Sequence, residues 1–193
     1  MPAAVSLALA ADDPAARRVA EALFPRVERR FFTPSELRPT VPFEGPLFAV
    51  LGAQPAGACV GLVVPVTLTG AGDPDDLEAT RLLAVADHVG LVPGGPLSGP
   101  WPAGVPRTFP PVAGIYQPAI VRAVGGARVY SSGVTVAGVA DARRLTPFEA
   151  RAVLEGGFVA VSDTLVPAAV IAAYHGLKLA ACGVLRAPAL DRE

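Results

Sequence analysis

Two histidines and several carboxylates are the side chains in this sequence most suited to chemistry. His88 directly follows Asp87, and an aspartate beside an imidazole can act as an acid–base dyad. Adjacent residues of a strand point to opposite faces, however, so a framework role for His88 is the stronger interpretation. His175 comes just before Gly176 at a predicted helix end, where an imidazole that favours the helix dipole is expected rather than a catalyst.

Metal and nucleophile motifs are weak. Asp73, Asp75 and Asp76 imitate the start of a calcium loop, but the flanking helices and terminal glutamate of such a loop are missing. Cys59 and Cys182 lie far apart and near neither histidine, so they predict buried free thiols in a reducing cytoplasm rather than a zinc site. No Gly-x-Ser-x-Gly or Walker-type string occurs. We therefore expect no metal and no cofactor.

The composition is typical of a compact chain with a large core. Of 193 residues, 52% are hydrophobic, which predicts a single domain spanning 1–193. Sixteen basic residues stand against seventeen acidic ones, with a formal net charge of −1 and no block of like charges. Because a nucleic-acid partner requires a basic face, none is expected.

Two apolar stretches have some features of an export signal or a membrane span. The stretch Met1 to Ala11 has no early Lys or Arg and no clear cleavage site, so no signal peptide is expected. The stretch Val166 to Leu185 has about the length of a bilayer span, but Gly176 and Lys178 interrupt it. It therefore predicts a helix, a tight turn and a buried strand, in a cytoplasmic protein without a membrane partner.

The pattern of apolar residues and breakers predicts the elements of the first half of the chain. The predicted elements are a strand at Val5–Ala10, a helix over Pro14–Glu28 capped at Asp12-Asp13, and strands at Leu47–Leu51, Ala58–Thr69 and Leu82–Leu91. The segment Phe31–Gly45 is rich in proline and polar residues, so we expect a connection without its own core.

In the second half, strands and helices alternate. A long Pro- and Gly-rich loop at Pro93–Pro111 holds the only tryptophan, Trp101, and a loop of this length is usually a lid, a binding loop or an interface arm. The elements that follow are helices at Val112–Val124, Thr146 to Gly156-Gly157 and Pro167–Tyr174, and strands at Gly133–Ala140, Phe158–Ser162 and Lys178–Leu185. This alternation predicts a mostly parallel sheet covered by helices.

Several strings, taken in order, resemble the purine nucleoside phosphorylase and methylthioadenosine phosphorylase family. The stretch from Leu62 to Ala187 carries the resemblance. The matching strings are Asp87–Leu91 (the family's DHINL), Pro96–Pro100 (NPLxGP), Arg107–Pro110 leading to Tyr116 (RFPxMxxAY), Gly133–Gly138 (GVYVxxxGP) and Val166–Lys178 (VPExxxARHxGL).

This resemblance identifies the chain as a shortened, divergent member of that family. It implies an α/β fold, a phosphorylase-type three-layer sandwich around a mixed, mostly parallel, partly barrel-like sheet. It also implies purine nucleosides and inorganic phosphate as substrates, and a homo-oligomer, trimer or hexamer. Trp101 and Phe109 are the candidates for the subunit interface, because the family's loop lies there. We also expect the family's long C-terminal helix to be missing after Glu193.

The phosphate site departs from the family pattern. In the family, backbone N–H groups of a glycine-rich GSGLG turn and a helix start bind the anion. The matching turn here is Ala10 to Pro14, in which two carboxylates would repel phosphate and a proline removes a donor. The family's RxHxYEG stretch has no counterpart between Leu62 and Asp73. Phosphate binding is therefore doubtful.

The substrate-binding candidates are Ser162, Asp163, Thr164, Leu145 and Arg186. Thr164 keeps a hydroxyl where the family's MST serine contacts phosphate, but Asp163 places a negative charge beside it. Leu145 stands where a glutamate accepts hydrogen bonds from the purine, and leucine cannot read a purine edge. Arg186 stands in the family's TN pair, where it could stabilise an anionic leaving base.

Two hypotheses follow, and no catalytic residue is assigned. In the first, phosphorolysis has been lost and the protein persists in a nucleoside-binding or oligomeric role. In the second, a rebuilt site still cleaves nucleosides: Asp163 contacts ribose or orients water, Thr164 positions the nucleophile and Arg186 stabilises the base. That second site favours hydrolysis, since carboxylates tolerate water where they repel phosphate. A structural partner of a larger active paralogue is a third class.

Overall fold

The computed structural model describes residues 5–37, 45–68, 82–91, 96–101, 103–105, 108, 110–142 and 144–185. The strands are β1 (Val5–Ala11), β2 (Arg29–Phe32), β3 (Cys59–Leu68), β4 (Leu82–Gly90), β5 (Val129–Gly138), β6 (Ala160–Ser162) and β7 (Lys178–Leu185). The α-helices are α1 (Pro14–Leu23), α2 (Pro46–Gly52), α3 (Pro118–Gly125), α4 (Pro147–Glu155) and α5 (Leu165–Tyr174), with 3₁₀ turns at Pro34–Leu37 and Gly126–Arg128. Phe109, Arg186 and the acidic turn at 73–76 lie outside the described residues.

The described strands form one sheet that closes partly on itself. Their order is β2-β1-β3-β6-β5-β4-β7, and a further pairing of β3 with β7 closes five of the strands into a ring. Strands β1, β2, β3 and β7 run in one direction, and β4, β5 and β6 run in the other. Antiparallel contacts occur at two seams, between β3 and β6 and between β4 and β7. The predicted α/β class with a mixed, mostly parallel, partly barrel-like sheet is confirmed.

The core lies around β3 and β7. Eight successive residues of β3 are buried, and an almost continuous apolar run is typical of a strand covered on both faces. Helix α1 packs on β1 and β3, α3 on β4, β5 and β7, and α5 on β4 and β7. The ring of strands is therefore covered by helices that the sequence places between them.

Helix boundaries in the last third follow the predicted signals. Thr146 Oγ1 accepts a hydrogen bond from Glu149 N, and Glu149 Oε2 accepts one from Thr146 N, which completes a capping box. The apolar stretch Val166–Leu185 forms most of helix α5, a turn with Gly176 at φ +69° and strand β7, as predicted. No helix in the described ranges is both long and apolar enough to cross a bilayer.

The prediction of a strand at Leu47–Leu51 is wrong, because these residues form α2. Pro46 occupies the first helical position, where its fixed φ and missing N–H are tolerated. Leu47 and Leu51 are four residues apart, so both fall on one helix face, and both are fully buried. A five-residue apolar run does not by itself separate a strand from a helix.

The connection predicted at Phe31–Gly45 instead begins with structure that contributes to the core. Residues Arg29–Phe32 form β2, which pairs in parallel with β1, and Phe32 and Leu37 are buried. The other differences are in boundaries: α1 ends at Leu23 rather than Glu28, two residues before Pro25, and the helix predicted over Val112–Val124 begins only at Pro118. Strand β5 begins four residues before the predicted Gly133.

Two glycines at the ends of β4 and β5 set how closely α5 can approach the sheet. A methyl group added at Gly138 would lie 2.5 Å from Val166 Cγ2, whereas one added at Gly90 would lie 3.7 Å from Val166 Cγ1. We predict that Gly138→Ala lowers the free energy of unfolding by about 1–3 kcal/mol through overpacking, and that Gly90→Ala is tolerated. Urea unfolding of both variants measures this, and equal stabilities would contradict the predicted packing of α5.

Candidate functional site

The candidate site lies where two strands share one edge of β3. On one edge of β3, residues Cys59–Val66 pair with β7. On the opposite edge, the first part of β3 pairs with β1 and its end pairs with β6. The carbonyl of Cys59 points to this edge and accepts a hydrogen bond from Ser6 of β1. Pro65, in the same phase of the strand, has no N–H, and its carbonyl accepts a 3.2 Å hydrogen bond from Ser162 Oγ. The carboxyl ends of β1 and β6 therefore both lie along the stretch of β3 around Pro65.

The amino terminus of α1 is closed by its own side chain. Asp13 Oδ1 accepts hydrogen bonds from Ala15 N at 3.0 Å and Ala16 N at 3.1 Å, and Pro14 has no N–H to offer. The two preceding amides are also bonded within the chain, Asp12 N to Phe32 O and Asp13 N to Ala11 O. The backbone amides of this turn therefore already have acceptors within the chain.

The second carboxylate of this turn is held by an arginine. Arg17 donates to Asp12 through Nη2 at 2.6 Å and Nε at 2.9 Å, and its guanidinium lies 4.2 Å from the centre of the Phe31 ring. The pair is exposed, and its contribution to stability is of the order of 0–1 kcal/mol. Because Arg17 is already paired with Asp12, its charge is not free to attract an anion to this turn.

The amino terminus of α5 is closed in a similar way. Ser162 Oγ accepts hydrogen bonds from Thr164 N at 3.3 Å and Leu165 N at 3.2 Å, and it lies 3.3 Å from Thr164 Oγ1. Ser162 is fully buried and Thr164 is 1% exposed. The structure thus brings these two predicted residues together, but the Ser162 hydroxyl binds amides at the start of α5 and the Thr164 hydroxyl lies against it. Asp163, between them, is half-buried.

A cleft of about 420 Å³ opens beside these strand ends. Its walls come from the carboxyl ends of β4 and β5, the segment that follows β5, and α4. The lining residues are Leu91, Val139, Ala140, Asp141, Arg144, Leu145, Glu149, Ala152 and Val153. Val139 N donates to Ser162 O at 3.0 Å, so the buried hydroxyl pair lies just behind the cleft wall.

The charges of the cleft lie on its rim. Arg144 Nε is 3.4 Å from Asp141 Oδ2, and the Arg144 side chain is 86% exposed. Hydrogen bonds from the backbone and side chain of Thr146 lower the pKa of Glu149, so this carboxylate is ionised and occupied in the capping box. Among the described lining residues there is no histidine, cysteine, lysine, serine or threonine. An apolar floor with paired charges above it is suited to bind a flat group with apolar faces.

The structure brings together only part of the predicted constellation. Of the five substrate-binding candidates, Leu145 lines the cleft, Ser162 and Thr164 lie buried behind it, Asp163 is half-buried outside its lining, and Arg186 is outside the described residues. Among the other lining residues, Arg144 was weighed from the sequence as a cleft residue that binds an anion or as a partner in a surface salt bridge, and it forms an ion pair with Asp141. Glu149 was recognised only as a capping residue, and Asp141, Ala152 and Val153 carry no spacing signal that distinguishes them from surface or core residues.

His88 forms no dyad with Asp87. The Asp87 carboxylate accepts a hydrogen bond from the His88 backbone N–H, and His88 Nδ1 lies 2.6 Å from Tyr116 Oη. Burial lowers the pKa of His88 and raises the pKa of Tyr116, so this hydrogen bond joins a neutral imidazole and a neutral phenol. Tyr116 also bridges to Leu179 of β7, which gives His88 a framework role. Within the described ranges, no three His, Cys, Asp or Glu groups are placed to hold a metal ion.

Trp101 packs within its own chain. Its Nε1 donates to Leu97 O at 3.2 Å, and its ring centre lies 6.0 Å from that of Tyr174 on α5. A location at a subunit interface stays a prediction for Trp101, and Phe109 lies outside the described residues.

Solved structures of similar fold are purine nucleoside phosphorylases. The enzyme from Schistosoma mansoni in complex with BCX-34 is 18% identical at a TM-score of 0.53, over 69% of this chain and 53% of that one. The Schistosoma enzyme with hypoxanthine is 19% identical at a TM-score of 0.53, over 70% and 51%. The guanosine complex is 21% identical at a TM-score of 0.52, over 65% and 48%.

These similarities establish the fold and nothing finer. The chain spans about half the length of the solved structures that it matches. No protein-family model matches the sequence, and no curated protein matches it. The architecture is that of a purine nucleoside phosphorylase, as the order of the sequence strings predicted.

Proposed function

We propose that this protein is a divergent relative of the purine nucleoside phosphorylases that binds a purine nucleoside or base but does not carry out phosphorolysis. The observation that carries the proposal is the Asp13 carboxylate, which takes the α1 amide donors that would hold phosphate. The fold supports the relation to the purine nucleoside phosphorylases, and the capped start of α1 supports the loss of phosphorolysis. Assembly into a homo-oligomer belongs to the same proposal.

Electrostatics argues against an anion at this turn. Two unit charges of like sign about 4 Å apart repel by about 1 kcal/mol in water and by about 4 kcal/mol near a protein surface. The Arg17 guanidinium offsets only the charge of Asp12, because it is paired with that carboxylate. An incoming phosphate would therefore meet the Asp13 charge and find the Ala15 and Ala16 amides occupied.

At the start of α5, two of the backbone amide donors already have an acceptor within the chain. Ser162 Oγ already accepts from two backbone amides, and the Thr164 hydroxyl lies against it at 1% exposure. A hydroxyl in this position is a structural group that the solvent does not reach. Nucleoside binding without phosphate is thus better supported than a rebuilt cleaving site that uses Thr164.

The cleft supports the binding half of the proposal. Its floor combines aliphatic side chains from three segments, including Leu145, and its volume of about 420 Å³ is within the usual range for a small-molecule site. The fold neighbours were solved with hypoxanthine and guanosine, which makes these two compounds the appropriate first ligands to test.

The first prediction of the proposal is absence of turnover. Incubation with inosine, guanosine, adenosine or methylthioadenosine is expected to release no free base, with or without phosphate, when followed by chromatography. Release only with phosphate would contradict the loss of phosphorolysis. Release without phosphate would establish the alternative, a nucleoside hydrolase with a rebuilt site.

The second prediction concerns the cleft. Guanosine or hypoxanthine is expected to raise the melting temperature of the protein, since a ligand that binds only the folded state stabilises it. Ala152 lines the cleft and is exposed, so Ala152→Trp should block the cleft and abolish the shift. Arg151→Trp is the matched control, because Arg151 is the exposed neighbour on α4 outside the lining. A shift retained in Ala152→Trp would place the ligand elsewhere.

The third prediction tests the closed start of α1. Asp13→Ala removes the acceptor of two amide hydrogen bonds and should lower the free energy of unfolding by about 1 kcal/mol, whereas Asp13→Ser keeps an acceptor and most of the stability. Urea unfolding compares the two variants with the native protein. If Asp13→Ala were as stable as the native protein, the carboxylate would not hold these donors, and the main support for the proposal would be lost.

A further inference from the structure

The second histidine of the chain lies at a contact between two helices away from the cleft. His175 is the C-cap of α5, and its ring meets the Phe48 ring of α2 edge to face, with centres 4.3 Å apart. The ring centre of Tyr174 lies 5.2 Å from that of His175 and 5.4 Å from that of Phe48. A methyl group added at Gly52, the last residue of α2, would lie 3.0 Å from His175 Cε1. The imidazole thus fills the space between the two helices.

One nitrogen of this imidazole is buried without a partner. Nε2 of His175 makes no hydrogen bond to any described residue. Burial lowers the pKa of His175, and a weaker opposing effect comes from the Phe48 backbone carbonyl. In the neutral ring one nitrogen donates to that carbonyl and the other carries a lone pair, whereas the protonated ring would bury a charged N–H with no acceptor.

The groups around His175 offer no compensating charge. Helix α2 and the turn at residues 53–58 contain no acidic or basic side chain, and α5 contributes only Tyr174 as a titratable group. Lys178, at the start of β7, is exposed and donates to Gly114 O. In sequence, Arg38 and Glu44 precede α2 among residues outside those described. No described carboxylate faces the ring to stabilise an imidazolium.

We propose that His175 is an acid-sensitive contact that holds α2 against α5, so that protonation of its ring loosens α2. The sign follows from linkage: a histidine whose pKa is lower in the folded state binds fewer protons there than in the unfolded state. Its stabilising contribution is complete above the ordinary value of 6.5 and is lost as the pH falls below that value.

The position of Trp101 makes this contact observable. The single tryptophan lies 6.0 Å from Tyr174, which in turn contacts His175. With only two histidines in the chain, NMR titration resolves His175 from His88, which lies at a separate contact with Tyr116. Both measurements use the native protein and need no variant.

Between about pH 7.5 and about pH 5.5, we expect His175 to titrate below the ordinary histidine value and the Trp101 emission to change with the same midpoint. Amide exchange within α2, corrected for the intrinsic rate, should accelerate as the pH falls over this interval. His175→Gln and His175→Phe should abolish the fluorescence change, and His88→Gln should retain it.

Two outcomes would overturn the proposal. The first is a His175 pKa at or above 6.5, since this would mean that Phe48 and Tyr174 stabilise the protonated ring. The second is unchanged exchange in α2 while His175 titrates, which would make the ring a spectator of the helix contact. Either result is obtained on the native chain even if both His175 variants fail to fold.

Discussion

The site depends on the way one edge of β3 is divided between two strands that approach from opposite directions. Strand β1 occupies the first part of the edge and turns away into α1, and β6 occupies the end and turns away into α5. Proline suits the position between them, because no neighbour remains to accept an N–H there, and the free carbonyl is bonded by Ser162. Both strands therefore end along the same stretch of β3, and a helix start follows each of them.

In this chain, amide donors at both helix starts are bonded to acceptors from the chain itself. Asp13 accepts from Ala15 N and Ala16 N at the start of α1, and Ser162 accepts from Thr164 N and Leu165 N at the start of α5. The free energy that these donors would gain by binding an anion is instead gained on folding. A carboxylate cap would also repel an anion, whereas a hydroxyl cap only occupies donors. The proposed loss of phosphate binding therefore rests mainly on Asp13 at α1.

The sequence predicts the sheet better than it predicts the site. Long apolar runs such as β3 and β7, and complete signals such as Thr146 to Glu149, were located correctly because the cause is local. The run at Leu47–Leu51 was misread since its helical character depends on Pro46 and on burial against α5.

Of the five substrate-binding candidates, only Leu145 lines the cleft. The cleft as a whole could not be predicted, because its walls join three segments that no spacing rule connects. Likewise, the burial of Thr164 could not be read from its type. A threonine before a helix is equally common as an exposed cap, and the pairing of Ser162 with Pro65, 97 residues away in sequence, decides the outcome.

Helix α5 links the two parts of the molecule where unusual polar groups are buried. It begins at the Ser162 and Thr164 hydroxyls behind the cleft and ends at His175 beside α2, and its ten residues span about 15 Å. Six of its residues are buried, so any movement of the helix must displace close-packed core side chains. At the Val166 end, the close approach to Gly138 leaves little room for such a movement. By this reasoning, the acid-sensitive contact affects α2 far more than it affects the cleft, because α2 is the partner with fewer neighbours to hold it.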